Sequence, residues 1–174
     1  DDCFESFIEG DRKGTDFDKT TGEVKVPASF KKSYRAYVDG GWGMVDVPAE
    51  LGGTEIPPSL RWAIAEMVLG SNPAVHIYAS GFAFAQVAHV LGDERQKKLA
   101  KIMVEKEWGA TMMLTEPDAG SSLADLRTVA VPIADAPGSY RISGTKMWIS
   151  GGEHDLAENI VHLVLARTPD APEG

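Results

Sequence analysis

Cysteine is nearly absent: Cys3 is the only one in 174 residues. A single thiol excludes an intramolecular disulfide and suits a reducing compartment, and nothing beside it marks it as an activated nucleophile. Positive charge is scarce as well. With 17 Lys and Arg against 26 Asp and Glu, the formal net charge is −9, which disfavours a general nucleic-acid surface because such a surface needs a basic field. No apolar run approaches the roughly 20 residues of a transmembrane helix, and the acidic start DDCFES does not resemble a signal peptide. A cytoplasmic protein without an integral membrane segment is expected, with a mitochondrial location left open. There is no initiator Met, and the sequence stops in TPDAPEG directly after a strand-like run, which points to a fragment.

Several familiar signatures are missing too. GGWG lacks the G-x-G-x-x-G spacing of a dinucleotide loop and follows no strand. GSYRISGTK has one residue too many between its glycines for a phosphate loop and ends in Thr-Lys. His76 and His89 do not share the i, i+4 face of a helical metal pair, and the adjacent Glu153, His154 and Asp155 cannot all converge on one ion, so no metal site is expected.

What is present is 43% hydrophobic, enough for one large or two small cores. The first part reads as helices. Cys3 to Ile8 have helical spacing, with Gly10 as a stop. Glu23 to Lys25 form a brief extended segment. Pro27 opens a helix through Phe30, Tyr34 and Val38 that ends at Gly40-Gly41, before a tight turn carrying a buried Trp42. A helix over 59–70 places Leu60, Ile64, Met67 and Val68 on one side. Asn72-Pro73 then supplies a cap and first-turn proline for a helix toward Leu91, apolar nearly all round, in which Gly81 allows close approach of a neighbour. Asp93 caps the next helix, to about Lys106, with Leu99, Ile102 and Met103 inward. The period changes at Trp108. Strands are expected over 108–114, 126–133 and 159–166, so the chain divides into a helical domain, 1–107, and a β-domain, 108–174.

The stretch from Thr111 to Gly152 carries the chemistry. In TEPDAGSS, Pro117 fixes φ and Gly120 permits unusual backbone geometry, so a structured loop is expected. Its amides and the hydroxyls of Thr115, Ser121 and Ser122 suit the oxygens and ring nitrogens of a flavin or a diphosphate, or they simply cap neighbouring turns. Tyr140 to Ile142 and Thr145 to Ser150 read as a β-hairpin about Ser143-Gly144. That register puts Arg141, Lys146, Trp148 and Ser150 on one face, with Tyr140, Ile142, Thr145, Met147 and Ile149 on the other. Trp148 on a polar face either meets a ligand or packs under a loop.

LTEPDAGSS followed by GTKMWIS resembles the acyl-CoA dehydrogenase signature, whose usual form is close to (L/V)TEPxAGSD, then GxKxWIT. VPAELGG and LGDERQKKLAKIM are similar to landmarks of that family's helical domain, and GGEHDLAENIVHLVLAR resembles the 3-methylmercaptopropionyl-CoA dehydrogenase-like branch. The resemblance covers essentially the whole chain and ends partway through the family's β-domain. It implies an α+β fold: an N-terminal helical bundle followed by the start of an antiparallel β-barrel-like domain, truncated at both ends. It also implies FAD, an acyl-CoA substrate, and removal of the α-proton by a glutamate with hydride transfer from the β-carbon to flavin N5, as in β-oxidation of fatty acids. Electron-transfer flavoprotein as acceptor and a homodimeric or homotetrameric parent follow on the same ground.

Carried over position by position, Met112, Leu114 and Thr115 would contact the flavin's pyrimidine end. Gly120 would belong to the cofactor site; Ser121 would serve the FAD diphosphate or the acyl-CoA; Trp148 would lie on the ring face away from substrate; Ser150 would hydrogen-bond near N5. Three positions depart from the pattern. Ser150 stands for Thr, Ser122 for Asp, and Met112 where an aromatic residue is frequent. The family's catalytic glutamate belongs to a C-terminal domain outside this sequence, so the isolated chain is expected neither to turn over substrate nor to hold FAD tightly. The same fold in a flavin monooxygenase or a desaturase of a non-CoA substrate, and a cofactor-free interaction module, are the other readings.

Overall fold

The computed structural model describes residues 2–171 in two compact units, one running to Ala110 and taking in Gly151–Val161, the other Thr111–Ser150 with the residues from His162. The first unit holds α1 (Asp2–Lys13), β1 (Asp16–Phe17), β2 (Val24–Lys25), α2 (Ala28–Asp39), α3 (Pro58–Ser71), α4 (Pro73–Tyr78), α5 (Gly81–Leu91) and α6 (Glu94–Glu105). β3 (Gly109–Met113) and β6 (Ile160–Val164) form one two-stranded sheet, and β4 (Val129–Pro132) and β5 (Tyr140–Ser143) another; β1 and β2 pair antiparallel in a third. The chain is α+β, as expected.

α1 continues through Gly10, contrary to the expected stop. A helical glycine costs about 1 kcal/mol relative to alanine. Here Asp2 and Glu5 in the first turn and Arg12 and Lys13 in the last complement the helix dipole, and Lys13 pairs with Glu9 one turn back. Trp42 is not buried. Gly41 turns the chain at φ 76, and a Cβ on Gly43 would stand 2.5 Å from the ring of Phe82. Phe82 therefore takes the core position and Trp42 is left about half exposed.

The main core gathers Tyr34 and Val38 of α2, Phe82 and Ala85 of α5, and Ala100 and Met103 of α6; a smaller one joins Val26, Phe30 and Val75. On α3 the buried residue is Ala65, and Leu60 and Met67 face solvent. That helix is apolar on most sides, so its partners rather than its pattern choose the face. Ile102 of α6 is likewise exposed.

Asn72 caps α4, its side chain accepting from Ala74 N at 3.2 Å while its amide donates to the buried Ser6 hydroxyl at 3.0 Å. The helix toward Leu91 breaks at Ala79-Ser80 into α4 and α5, and its Val87, Val90 and Leu91 are exposed rather than buried all round. Pro73–Leu91 spans 19 residues at mean hydropathy 1.3, long and apolar enough to cross a membrane by length and composition alone. This corrects the reading that no run comes near that length; Val75, Ala79, Phe82 and Ala85 of the run are core residues of the first unit.

Asp93 and Gln96 form a reciprocal capping box at the start of α6, each side chain bonding the other's backbone N–H at 2.8 Å. Asp93→Ala removes one acceptor from that pair and is expected to cost about 1 kcal/mol, read as a lowered denaturation midpoint.

Gly151–Val161 returns to the helices of the first unit. The cause is local. Asp155 accepts from Val26 N at 3.0 Å and pairs with Lys31, the His154 ring lies 5.1 Å from that of Tyr78, and Leu156 packs on both apolar clusters. His154 Nδ1 accepts from Leu156 N at 3.2 Å, and burial lowers its pKa. Glu153, His154 and Asp155 thus do not converge.

The expected hairpin about Ser143-Gly144 is also corrected. β5 pairs antiparallel with β4 before it, in the register Val129↔Ser143, Ala130↔Ile142, Val131↔Arg141 and Pro132↔Tyr140. The turn is made by Asp135-Ala136-Pro137-Gly138, with Gly138 at φ 77 and Ile133 N bonded to Ser139 O at 3.0 Å. After Ser143 the chain leaves the strand, so strict face alternation over Thr145 to Ser150 does not hold.

Candidate functional site

The second unit is built around a tight turn. β3 delivers Leu114, Thr115 and Glu116, and Pro117-Asp118 then reverse the chain, with Glu116 N bonded to Ala119 O at 2.8 Å and Ala119 N to Glu116 O at 3.3 Å. Proline at the second position of such a turn is pre-set in φ. Gly120 and Ser121 follow, both exposed. Ser122 is engaged locally, its hydroxyl donating to the Asp125 carboxylate at 2.6 Å at the start of a short 3-10 turn. It therefore does not face outward as a free hydroxyl.

Gly120 has no positive φ, and a Cβ placed on it would meet nothing within 4 Å. The unusual backbone geometry expected there is absent. The chain itself makes no demand for glycine at this position, and the exposed backbone is open to close approach from outside.

Glu116 is the hub of the unit. Its carboxylate accepts from Arg127 N at 2.7 Å, from Thr128 N at 3.0 Å, from the Thr128 hydroxyl, and from Lys146 Nζ at 2.8 Å. Side-chain exposure is only 8% for Lys146 and 5% for Glu116. The lysine ammonium first, then the Thr128 hydroxyl and the two amides, hold the Glu116 pKa down from 4.5 to about 2. A second Lys146 donor reaches Leu114 O at 2.9 Å, and the next residue's amide, Met147 N, bonds Thr115 O at 3.0 Å. Gly144 permits this closure: a Cβ there would lie 2.3 Å from the Thr128 hydroxyl oxygen.

The residues singled out in the sequence fall into two groups. Leu114 and Thr115 are drawn by their carbonyls against Lys146 and Met147, which brings them beside the segment carrying Trp148 and Ser150. Gly120 and Ser121 lie beyond the turn, and Met112 sits on β3 with an exposed side chain. Trp148 has φ 60 and is 82% exposed. A bulky residue in the left-handed region costs about 1–2 kcal/mol, and an indole left in water returns nothing for it within the described residues. Met112, Trp148 and the open backbone at Gly120 together offer an apolar surface and an accessible main chain on one small unit.

The sequence reading gave no site role to Glu116, Lys146, Thr128 or Gly144. A signal was present. The first motif carries the acids Glu116 and Asp118 and the second the single cation Lys146, and motifs that assemble one site bring opposite charges together. Glu116 received no role, and Lys146 was placed with Trp148 on a polar face that the structure does not form.

No family model matches the sequence. A broad-specificity linear acyl-CoA dehydrogenase of Mycobacterium tuberculosis is 50% identical over 171 residues, 98% of this chain and 28% of that protein. The 3-methylmercaptopropionyl-CoA dehydrogenase of Ruegeria pomeroyi is 44% identical over 170 residues, 95% of the chain and 28% of the relative. The crystal structure of an acyl-CoA dehydrogenase complexed with FAD from Bacillus anthracis aligns with TM-score 0.54 and 30% identity, covering 80% of this chain and 24% of that one. The chain therefore spans a little over a quarter of the length of the curated relatives it matches. Over the residues it spans, the chain belongs to the acyl-CoA dehydrogenase family.

Proposed function

We propose that the whole protein is an FAD-dependent acyl-CoA dehydrogenase that oxidises the α,β bond of an acyl thioester in fatty acid metabolism, and that Thr111–Ser150 holds part of the flavin. The observation that carries this reading is the exposed, strained Trp148 next to the pinned Leu114–Thr115 backbone in a chain of this family. A flat aromatic partner would cover the indole and offset its conformational cost.

When bound, FAD would supply the hydride-accepting chemistry. The chain's own residues orient and shield it. Trp148 would pack on one face and exclude water there, and Met112, Leu114 and Thr115 would border the pyrimidine end. Gly120 and Ser121 leave amides and a hydroxyl for the diphosphate, and Ser121 is placed to serve the acyl-CoA as well. The Ser150 hydroxyl would donate to the flavin's reacting end, supplying a preorganised dipole there. Ser in place of Thr keeps that donor but loses the methyl that restricts its rotamer.

No glutamate of this chain is assigned as the base. Glu116 is held ionised well below the pKa of a useful proton acceptor and its oxygens are occupied by four donors. On this reading the base and the remaining FAD and CoA contacts come from parts of the protein outside these residues, the whole protein is a homo-oligomer, and an electron-transfer flavoprotein accepts its electrons. On this reading residues 1–107 are the helical domain and 108–174 the β-domain, the protein is cytoplasmic, and the isolated chain is inactive. The test is a visible absorbance spectrum of the whole protein, recorded without oxygen before and after adding a panel of acyl-CoAs. A flavin spectrum bleached by a subset of them is expected. A protein that stays colourless after reconstitution with FAD overturns the reading.

A further inference from the structure

Glu116 and Lys146 stand 30 residues apart in two motifs, yet they form a nearly solvent-free ion pair. Such a pair is a poor way to gain stability, since desolvation of both groups offsets their attraction and an apolar pair of like shape often does as well. What it offers is direction. Lys146 Nζ spends its bonds on Leu114 O and Glu116, and Met147 N follows onto Thr115 O, so three consecutive residues of one segment are fastened to two of the other. The anchor is itself rigid, because the Glu116 carboxylate is held by the Arg127 and Thr128 amides and the Thr128 hydroxyl.

Trp148 is the very next residue. Its indole is 82% exposed, so side-chain packing does little to hold φ at 60 and the conformation is set mainly from the chain on either side. The fastened Met147 amide is the constraint on the N-terminal side.

We propose that Glu116 and Lys146 are positioning residues for the flavin, setting the height and tilt of the Trp148 indole relative to the Leu114–Thr115 backbone without touching the ring themselves. The inference rests on the flavin reading above and deepens it. Losing the pair should leave a foldable unit whose two flavin-contacting segments are no longer in register.

The test uses the whole protein, stripped of flavin and titrated with FAD, in the wild type, Lys146→Arg, the double variant Glu116→Gln/Lys146→Met, Thr128→Val and Trp148→Ala. Dissociation constants and the visible circular dichroism of bound flavin are read alongside thermal unfolding of the apoprotein. The double variant, which leaves no unpaired charge, is expected to bind FAD about tenfold more weakly with an altered flavin dichroism and an apoprotein midpoint close to wild type. Lys146→Arg should recover most of both signals. Thr128→Val, nearly the same shape and lacking one bond to the anchor, should weaken binding about three- to fivefold, and decides the matter if the double variant does not fold. Unchanged affinity and dichroism in folded pair variants or in Thr128→Val, with Trp148→Ala still losing FAD, would overturn the positioning role and leave the flavin reading standing. A wild type that binds no FAD would overturn both.

Discussion

Lys146→Met is expected to destabilise the protein by about 2–3 kcal/mol, more than removal of one surface ion pair could. The substitution leaves the Glu116 carboxylate buried with two amides and a hydroxyl but no counter-charge. The cost is set just below the range for a broken buried pair because the surrounding core is thin: Thr111, Ala119, Leu126 and Thr128 are the other buried residues of the second unit. Adding Glu116→Gln should recover most of the loss, and a double-mutant cycle in urea measures the coupling.

The pH dependence has a defined sign. Glu116 has a folded pKa of about 2, below its ordinary 4.5, so its contribution is fully present above about pH 4.5 and is lost as pH falls toward 2. The stability gap between wild type and Glu116→Gln should therefore be constant at neutral pH and shrink across that acid window. A gap that stays constant down to pH 2 would mean that the carboxylate is not held by Lys146.

Local chemistry decides how much of this was legible in the sequence. Helix ends were readable where a side chain closes the accounting within three residues, as at Asn72 and in the Asp93 and Gln96 box. Gly81 could be read as a point of close approach, and a backbone oxygen occupies that space. Burial on α3 was not readable, because a helix apolar on most sides gives no vector, and Leu60 and Met67 ended outside. The hairpin was misjudged because Ser143-Gly144 and Asp135-Ala136-Pro137-Gly138 compete as turns. The second wins by pairing β5 with the β-branched run of β4, while Gly144 is used for contact with Thr128. Trp148 and Ser150 were found by resemblance, yet the alternation offered as a physical reason is absent, since residue 148 sits in the left-handed region. The Glu116 and Lys146 pair was missed because a contact across 30 residues leaves no periodicity, and opposite charges in two motifs were the one signal for it.

Gly81→Val is the most damaging single change expected in the helical unit. A Cβ at Gly81 would lie 1.9 Å from the Trp108 carbonyl oxygen and 3.0 Å from its carbon, both backbone atoms that cannot rotate away. α5 would have to lift at the point where Ser80 also donates its hydroxyl to Ala110 O at 2.9 Å, and where Phe82 and Ala85 begin the main core. Overpacking of this kind costs about 3 kcal/mol or more, because the helix start and the first residues of β3 must separate together. Even Gly81→Ala should be strongly destabilising. Gly70→Ala on α3 is the control: nothing lies within 4 Å of the added carbon and φ is not positive there, so a gain of about 0.5–1 kcal/mol is expected from helix propensity. Opposite shifts of the unfolding midpoint in the two variants would show that packing against Trp108, and not glycine's flexibility, is what the position requires.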